Sequence, residues 1–248
     1  MNPLLTFQLR RVGRNKQYLL FTVLLPALFT VFFTKIFGGE PAANGEYQEY
    51  AAGYMVSMMA YGAMGAALGA TIRIAFDRAS GWLRQLRISP VPQSQVVAVE
   101  VTVGALLTLP SLLVVALVGR FVNGVELPVT SWVALVVVLW LGSTAFVALG
   151  LLIGLALDQK AAGGASGLVS VVLATLGGLW VPVQFFPDAL QTVARALPSY
   201  WYAELGRDVV AGSAPAPTGV LALAGFAAAF AVLAALVAAR RPLHAVSG

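Results

Sequence analysis

Six apolar runs, each about as long as the roughly 20 residues a helix needs to cross a bilayer, constrain this chain more than any other feature. They are Tyr18–Phe37, Ala51–Phe76, Val96–Gly119, Ser131–Leu157, Ala162–Val183 and Gly219–Ala239. None alternates apolar and polar residues with a period of two. Hydrocarbon also requires each segment to satisfy its own backbone, so helices are expected rather than strands. Of the 248 residues only 10% are charged, against about 25% in a soluble domain. The polar stretches between the runs are short, which leaves no separate soluble catalytic domain. Cysteine is absent, so a disulfide framework, a thiolate metal site and a cysteine nucleophile are excluded. The first run follows basic residues, as a signal peptide's does, but it is longer than a signal core. Five more spans follow it, so it reads as a retained helix.

The basic residues set the expected topology. Arg10, Arg11, Arg14 and Lys16 precede the first run, and Arg73, Arg78, Arg84 and Arg87 separate the second from the third. Lys160 lies between the fourth and fifth, and Arg240 and Arg241 follow the last. Eleven of the 15 basic residues thus fall on one side. The positive-inside rule makes that side the cytoplasm and places both termini there, in a bacterial inner membrane. The opposite face collects Glu40, Glu46, Glu49, Glu126, Asp188, Glu204 and Asp208. The net charge of +5 is therefore a topology signal, and no nucleic-acid partner is expected.

Residues 1–17 read as an amphipathic N-terminus. Leu5, Leu9 and Val12 share one helical face, and Arg10, Arg11 and Arg14 lie off it. Such a helix rests in the inner interface against lipid phosphates, or serves only as a positive anchor. The loop over residues 77–90 has Asp77 or Ser80 as a helix cap and Pro90 as its end. Between them, apolar Trp82, Leu83 and Leu86 alternate with Arg84 and Arg87, which gives a short amphipathic helix needing a partner surface or lipid. After the fifth run, Asp188–Leu197 is too short to span. Pro187 and Pro198 bracket it, and Tyr200, Trp201 and Tyr202 form an aromatic belt at the interface.

At Asp77, Arg78, Gly81, Leu83, Leu86, Ser89 and Pro90 the loop resembles the cytoplasmic coupling loop of ATP-binding-cassette exporter permeases, the branch that exports drugs, lipids and polysaccharides. Asp77 stands where members more often carry Glu, and Trp82 where a smaller residue is usual. The order Pro182, Phe186-Pro187, Leu197-Pro198, Tyr200 and Arg207 is similar to the extracellular re-entrant helices of the same family. The resemblance covers the whole chain and implies an all-α polytopic membrane protein forming a single transmembrane domain over residues 1–248. Six membrane helices, an N-terminal amphipathic helix, a coupling helix and an outer re-entrant segment over residues 184–212 make up that fold. It implies that Asp77, Arg78, Gly81, Trp82, Leu83, Arg84, Leu86 and Arg87 meet an ATPase, and that Pro182, Phe186, Pro187, Pro198 and Tyr200 form an outer gate. It further implies a P-loop ATPase subunit as partner, a second permease subunit (a twin or a paralogue), and alternating access driven from the ATPase.

The chain has no phosphate-binding loop of its own. Its lysines, Lys16, Lys35 and Lys160, follow no such glycine pattern. No cofactor is expected on this chain; ATP and Mg belong to the partner subunit. Gly164-Ala165-Ser166-Gly167 matches the surroundings of a rhomboid-type nucleophile, but that serine needs a base. The sole histidine, His244, lies beyond Arg240-Arg241, so these small residues read as close helix packing. A secondary carrier is the third class, and Glu100 is the one acid clearly inside a run; alone it makes no proton relay. No metal motif is present. Gly62, Gly65 and Gly69 in the second run, and Gly150 and Gly154 in the fourth, allow close crossings. Pro26 and Pro110 are expected to kink the first and third runs. Met55, Met58, Met59 and Tyr61 give the second run a soft face, and with Phe32, Phe33 and Trp180 they are the candidate substrate pathway. The expected cargo is an amphiphilic drug, antibiotic or lipid, as in multidrug export and antibiotic resistance. Polysaccharide or glycolipid export is the alternative within the family.

Overall fold

The computed structural model describes residues 15–38, 45–79 and 93–240. Every regular element among them is a helix. Lys16–Leu19 (α1) widens into a π-helical turn, Leu20–Leu24, and continues as Leu25–Phe37 (α2). Gly45–Thr71 (α3), Arg73–Ala79 (α4), Gln93–Phe121 (α5), Val129–Gly142 (α6), Thr144–Ala156 (α7) and Gln159–Leu176 (α8) follow. A 3-10 turn, Val183–Phe185, leads into Asp188–Arg195 (α9), Pro198–Val210 (α10) and Pro217–Arg240 (α11).

Five stretches are long and apolar enough to cross a membrane: Leu20–Phe37, Gly45–Asp77, Gln95–Phe121, Val129–Ala156 and Pro217–Arg240. The expected fifth span, Ala162–Val183, is not among these five. Its helix begins earlier, at Gln159, and ends at Leu176. Gln159, Lys160, Gly163 and Gly164 dilute the hydropathy of its first turns. Gly178, at φ 75°, then turns the chain out of the helix through the left-handed region that glycine alone enters freely. The 18 residues give a helix about 27 Å long.

The bundle is built around α3, which packs against α2, α5, α7 and α10. Its small residues let neighbours approach to backbone distance. A Cβ on Gly150 of α7 would lie 2.9 Å from Leu68 Cα, and one on Gly154 would lie 3.0 Å from Ile72 Cα. The pair therefore docks α7 on the break between α3 and α4, as the spacing predicts. Gly62 and Gly69 do the same toward Ser111 and Tyr18. The small patch at Gly163–Gly167 behaves otherwise. Gly164 and Gly167 have nothing within 4 Å of an added Cβ, so they make no crossing among the described residues. The outside is as apolar as the core. Leu20, Leu24, Leu28, Phe32 and Ile36 are exposed at four-residue intervals, as are Val129, Val133, Val137 and Leu141. A helix apolar on all sides suits lipid rather than water.

Pro26, in mid-span, leaves a backbone problem that a neighbouring helix resolves. Pro26 has no N–H for the Thr22 carbonyl, which instead accepts a hydrogen bond from Ser111 Oγ of α5 at 2.7 Å. One residue earlier Leu25 N–H reaches Leu20 O, the i to i+5 bond of the π turn. Upstream of Pro110, the Ala105 carbonyl accepts from Trp140 Nε1 at 2.9 Å and from Thr108 Oγ1 at 2.8 Å.

Candidate functional site

The two ends of the bundle differ in chemistry. At one end, Tyr18 donates its hydroxyl to Ala66 O at 2.7 Å and lays its ring over Gly69. Asp77 and Glu100, in the same third of the bundle, are 1% and 2% exposed. Asp77 is one of two candidate caps, with Ser80, for a helix in the loop. It lies inside α4, with Arg78 in the next position, so α4 carries the chain up to the loop and Asp77 does not start a new helix. Gly81, Trp82, Leu83, Arg84, Leu86 and Arg87 lie outside the described residues, as do Leu5, Leu9, Arg10, Arg11 and Arg14.

At the other end α3, α9, α10 and two loop segments enclose a half-open cavity of about 790 Å³. Its α3 wall presents Glu46, Glu49, Tyr50, Gly53, Tyr54 and Ser57. These positions recur at helical spacing, a single polar and aromatic stripe on a helix otherwise buried. Tyr50 and Tyr54 stack with rings 6.0 Å apart and nearly parallel. Tyr54 continues to Phe33 at 5.4 Å, and Phe33 to Phe32 at 5.5 Å. The facing wall comes from α10. Arg207 bonds Glu204 at 3.0 Å and donates to Ser57 Oγ at 3.1 Å, which clasps α10 to α3. Glu126 and Leu127 close a third side. Gln48 holds that segment by donating to Gly124 O and accepting from Glu126 N–H.

The helix pair behind this wall owes its form to its prolines and glycines. Pro187 precedes the first turn of α9, and Pro198 is the first residue of α10, where a missing N–H costs nothing. Ser199 Oγ donates to Leu173 O at 2.7 Å, tying the end of α8 to the start of α10. The expected aromatic belt is corrected at one position. Tyr202 is fully buried in the bundle and donates to Leu139 O at 2.7 Å. Tyr200 lines the cavity, and Trp201 bonds Arg195 O from a half-exposed position.

Among the predicted pathway residues, Phe33 joins the tyrosine stack. Tyr61 meets Trp180 edge-on at 5.5 Å. Phe32 is 57% exposed on the apolar exterior. Met55, Met58 and Met59 are all fully buried in the core of this chain, with Met55 against Gly119. The structure therefore separates the methionines from any open surface in this conformation. Of the predicted gate residues, Pro182 and Tyr200 line the cavity. Phe186 is half-buried, and its carbonyl accepts from Gln191 Nε2 at 2.9 Å. Pro187 and Pro198 frame the turns. Glu46, Glu49, Tyr50, Tyr54, Ser57, Glu204 and Arg207 were absent from the sequence-based set, although the stripe of spacing on α3 marks five of them.

Long apolar helices with an apolar exterior are the architecture of a polytopic membrane protein, and the family that the chain matches is one of transporters rather than enzymes. The chain belongs to the ABC-2 type transporter family, whose model matches residues 3–210. It is 28% identical over 240 residues to the Bacillus subtilis (strain 168) protein named "Putative transport permease YvfS", and 96% of each chain is covered. Membership implies an ATPase partner in general terms.

Proposed function

We propose that this chain is the transmembrane subunit of an ATP-driven exporter that moves amphiphilic compounds (drug, antibiotic or lipid) outward by alternating access. The observation that carries the substrate class is the open face of α3. There Tyr50 and Tyr54 line the cavity beside Glu46, Glu49 and Ser57, with Phe33 packed on Tyr54, so a molecule meets aromatic and polar groups together. The membrane is a bacterial inner membrane with both termini cytoplasmic. In this reading α8 is the sixth crossing. It is short of the hydrocarbon thickness of about 30 Å, but it runs from Gly163, near Phe76, to Leu173, bonded to Ser199.

A separate P-loop ATPase docks on the loop over residues 77–90 and on the basic N-terminal helix, and it uses the ATP and Mg. A second permease subunit completes the path, and the open faces at Gly164 and Gly167 leave room for it. Nucleotide can act on the spans only through contacts that differ between their two states. Leu83 and Leu86 are the apolar residues of that loop that would make those contacts. Replacing both, Leu83→Asp with Leu86→Asp, is expected to abolish ATPase activity stimulated by transport while membrane insertion persists. Normal coupling in that double variant would refute the reading. Copurification of an ATPase subunit with the wild-type chain is its companion measurement. Loss of a surface glycan in a deletion strain, rather than hypersensitivity to hydrophobic toxins, would move the substrate class to polysaccharide.

A further inference from the structure

We propose that the π turn Leu20–Leu24 is a register switch in the first span, able to rewind to an α turn and so rotate α1 against α2. The inference rests on the exporter reading only for what drives the switch; the two registers are argued from the helix contacts. A π turn holds one residue more than the α-helix around it and is rare. Here Leu25 N–H reaches past Phe21 to Leu20 O. Pro26 alone does not demand this. Pro110 lies inside α5, and that helix runs unbroken as an α-helix from Gln93 to Phe121. What sets the first span apart is that different elements hold it on either side of the turn. On the N-terminal side Tyr18 donates to Ala66 O of α3 at 2.7 Å and covers Gly69. On the C-terminal side Thr30 O of α2 accepts from Asn123 Nδ2, just past the end of α5, at 3.0 Å.

The surroundings of the turn leave room for the change. Leu20, Phe21 and Leu24 are exposed on the apolar exterior, so rewinding on that side displaces lipid. On the protein side the turn meets two glycines of α3. A Cβ on Gly62 would lie 2.9 Å from Thr22 O and 3.0 Å from Pro26 Cγ, and one on Gly65 would lie 3.9 Å from Thr22 Cγ2. In the α register α1 turns by about 100° and shifts by about 1.5 Å, the step of one residue. Leu19 then takes the position of Tyr18 against α3. The registers differ in their contacts, as a switch requires. Tyr18 reaches Ala66 O only in the π register, and Leu25 N–H reaches Phe21 O only in the α register. An ATPase drawing on the chain before Lys16 trades one for the other, rotating the start of the span while Asn123 keeps α2 in place.

The experiment uses the full chain alone in phosphatidylcholine nanodiscs. Nitroxides are attached to Lys16→Cys with Gln159→Cys, and to Lys16→Cys with Ala239→Cys, all exposed positions, and both distances are read by double electron–electron resonance. Turning a helix about 10–12 Å across by about 100° carries the label at position 16 roughly 8 Å. The labelled chain with no other change is expected to show one population. Tyr18→Phe, which removes only the hydroxyl that bonds Ala66, adds a second population shifted by about 4 Å or more in at least one pair. Pro26→Ala, which returns an N–H to the Thr22 carbonyl, moves the chain to that same second distance. A change of kink alone would shift Pro26→Ala and leave Tyr18→Phe untouched. A single unchanged population in Tyr18→Phe, or a distance in Pro26→Ala unlike the second population, overturns the switch. No ATPase is present, so that failure leaves the exporter reading standing. Two registers here, with normal coupling in the Leu83→Asp, Leu86→Asp variant, keep the switch and remove that reading.

Discussion

The carbonyl of Thr22 shows how this chain supports a proline inside a membrane helix. Pro26 cannot donate to it, and lipid offers no water, so the donor has to come from another span. Ser111 supplies it at 2.7 Å, and Gly62 is small enough to leave the three helices in contact there. Ser111→Ala removes the donor and leaves a buried carbonyl unsatisfied. The expected destabilisation is about 1–3 kcal/mol, read as a lowered midpoint of thermal unfolding in nanodiscs. An unchanged midpoint would mean that the π turn finds another partner. Proline as a source of irregularity was legible from sequence; the identity of its rescuer was not, because Thr22 and Ser111 are 89 residues apart. The methionines illustrate a different ambiguity. A flexible thioether suits a varied substrate and an irregular core gap equally well. Composition cannot separate the two, and Met55, Met58 and Met59 proved to be core. Small residues are similar: they permit close approach without commanding it, so Gly150 and Gly154 dock while Gly164 and Gly167 stand open.

At the scale of elements, α10 is what closes the cavity, and Tyr202 is what holds α10. Its ring packs against Phe146 at 5.1 Å, and its hydroxyl bonds the α6 backbone at Leu139. Gly142 leaves space for the ring, since a Cβ there would lie 2.8 Å from it. Tyr202→Ala forfeits both the packing and the bond, at about 3–5 kcal/mol for a large aromatic truncated in a core. The expected consequence is local: α10 detaches, and limited proteolysis cuts between residues 183 and 197 before it cuts elsewhere. Wild-type resistance in that window would show that Arg207 and Ser199 suffice. The helix pair was readable from Pro187 and Pro198, since proline fixes where a helix can begin. The burial of Tyr202 was not, because an aromatic residue near an interface is compatible with a belt and with a core alike. The stripe from Glu46 to Tyr61 lies in between. Its helical spacing is present in the sequence, but a span 78% buried gives no hint of which neighbours leave that face uncovered.

For the whole molecule, the number of crossings turns on α8, whose hydropathy and length are both marginal. The cavity supplies a geometric argument. Glu46 and Glu126 lie before α8 in sequence and Glu204 lies after it, yet all three line one cavity at one end of the bundle. The chain at Gln159 follows α7, whose last turns dock on the break near Ile72, toward the opposite end. A helix running from end to end would let the chain return, as the proposed sixth crossing requires. The natural absence of cysteine makes this directly measurable. Single cysteines at the exposed positions Asn15, Gln159, Ser213 and Ala239 can be labelled in sealed cells with an impermeant maleimide. If α8 crosses, Ser213→Cys alone is labelled from outside, and the other three react only after permeabilisation. If α8 stays on one side, Ser213→Cys joins Gln159→Cys, and Ala239→Cys becomes the site reached from outside. The same labelling checks the charge argument, because the positive-inside expectation for eleven basic residues requires Asn15→Cys to be protected. Labelling of Asn15→Cys in intact cells would invert the bundle. The glutamate-lined cavity would then face the cytoplasm and serve as a point of entry for cargo rather than release.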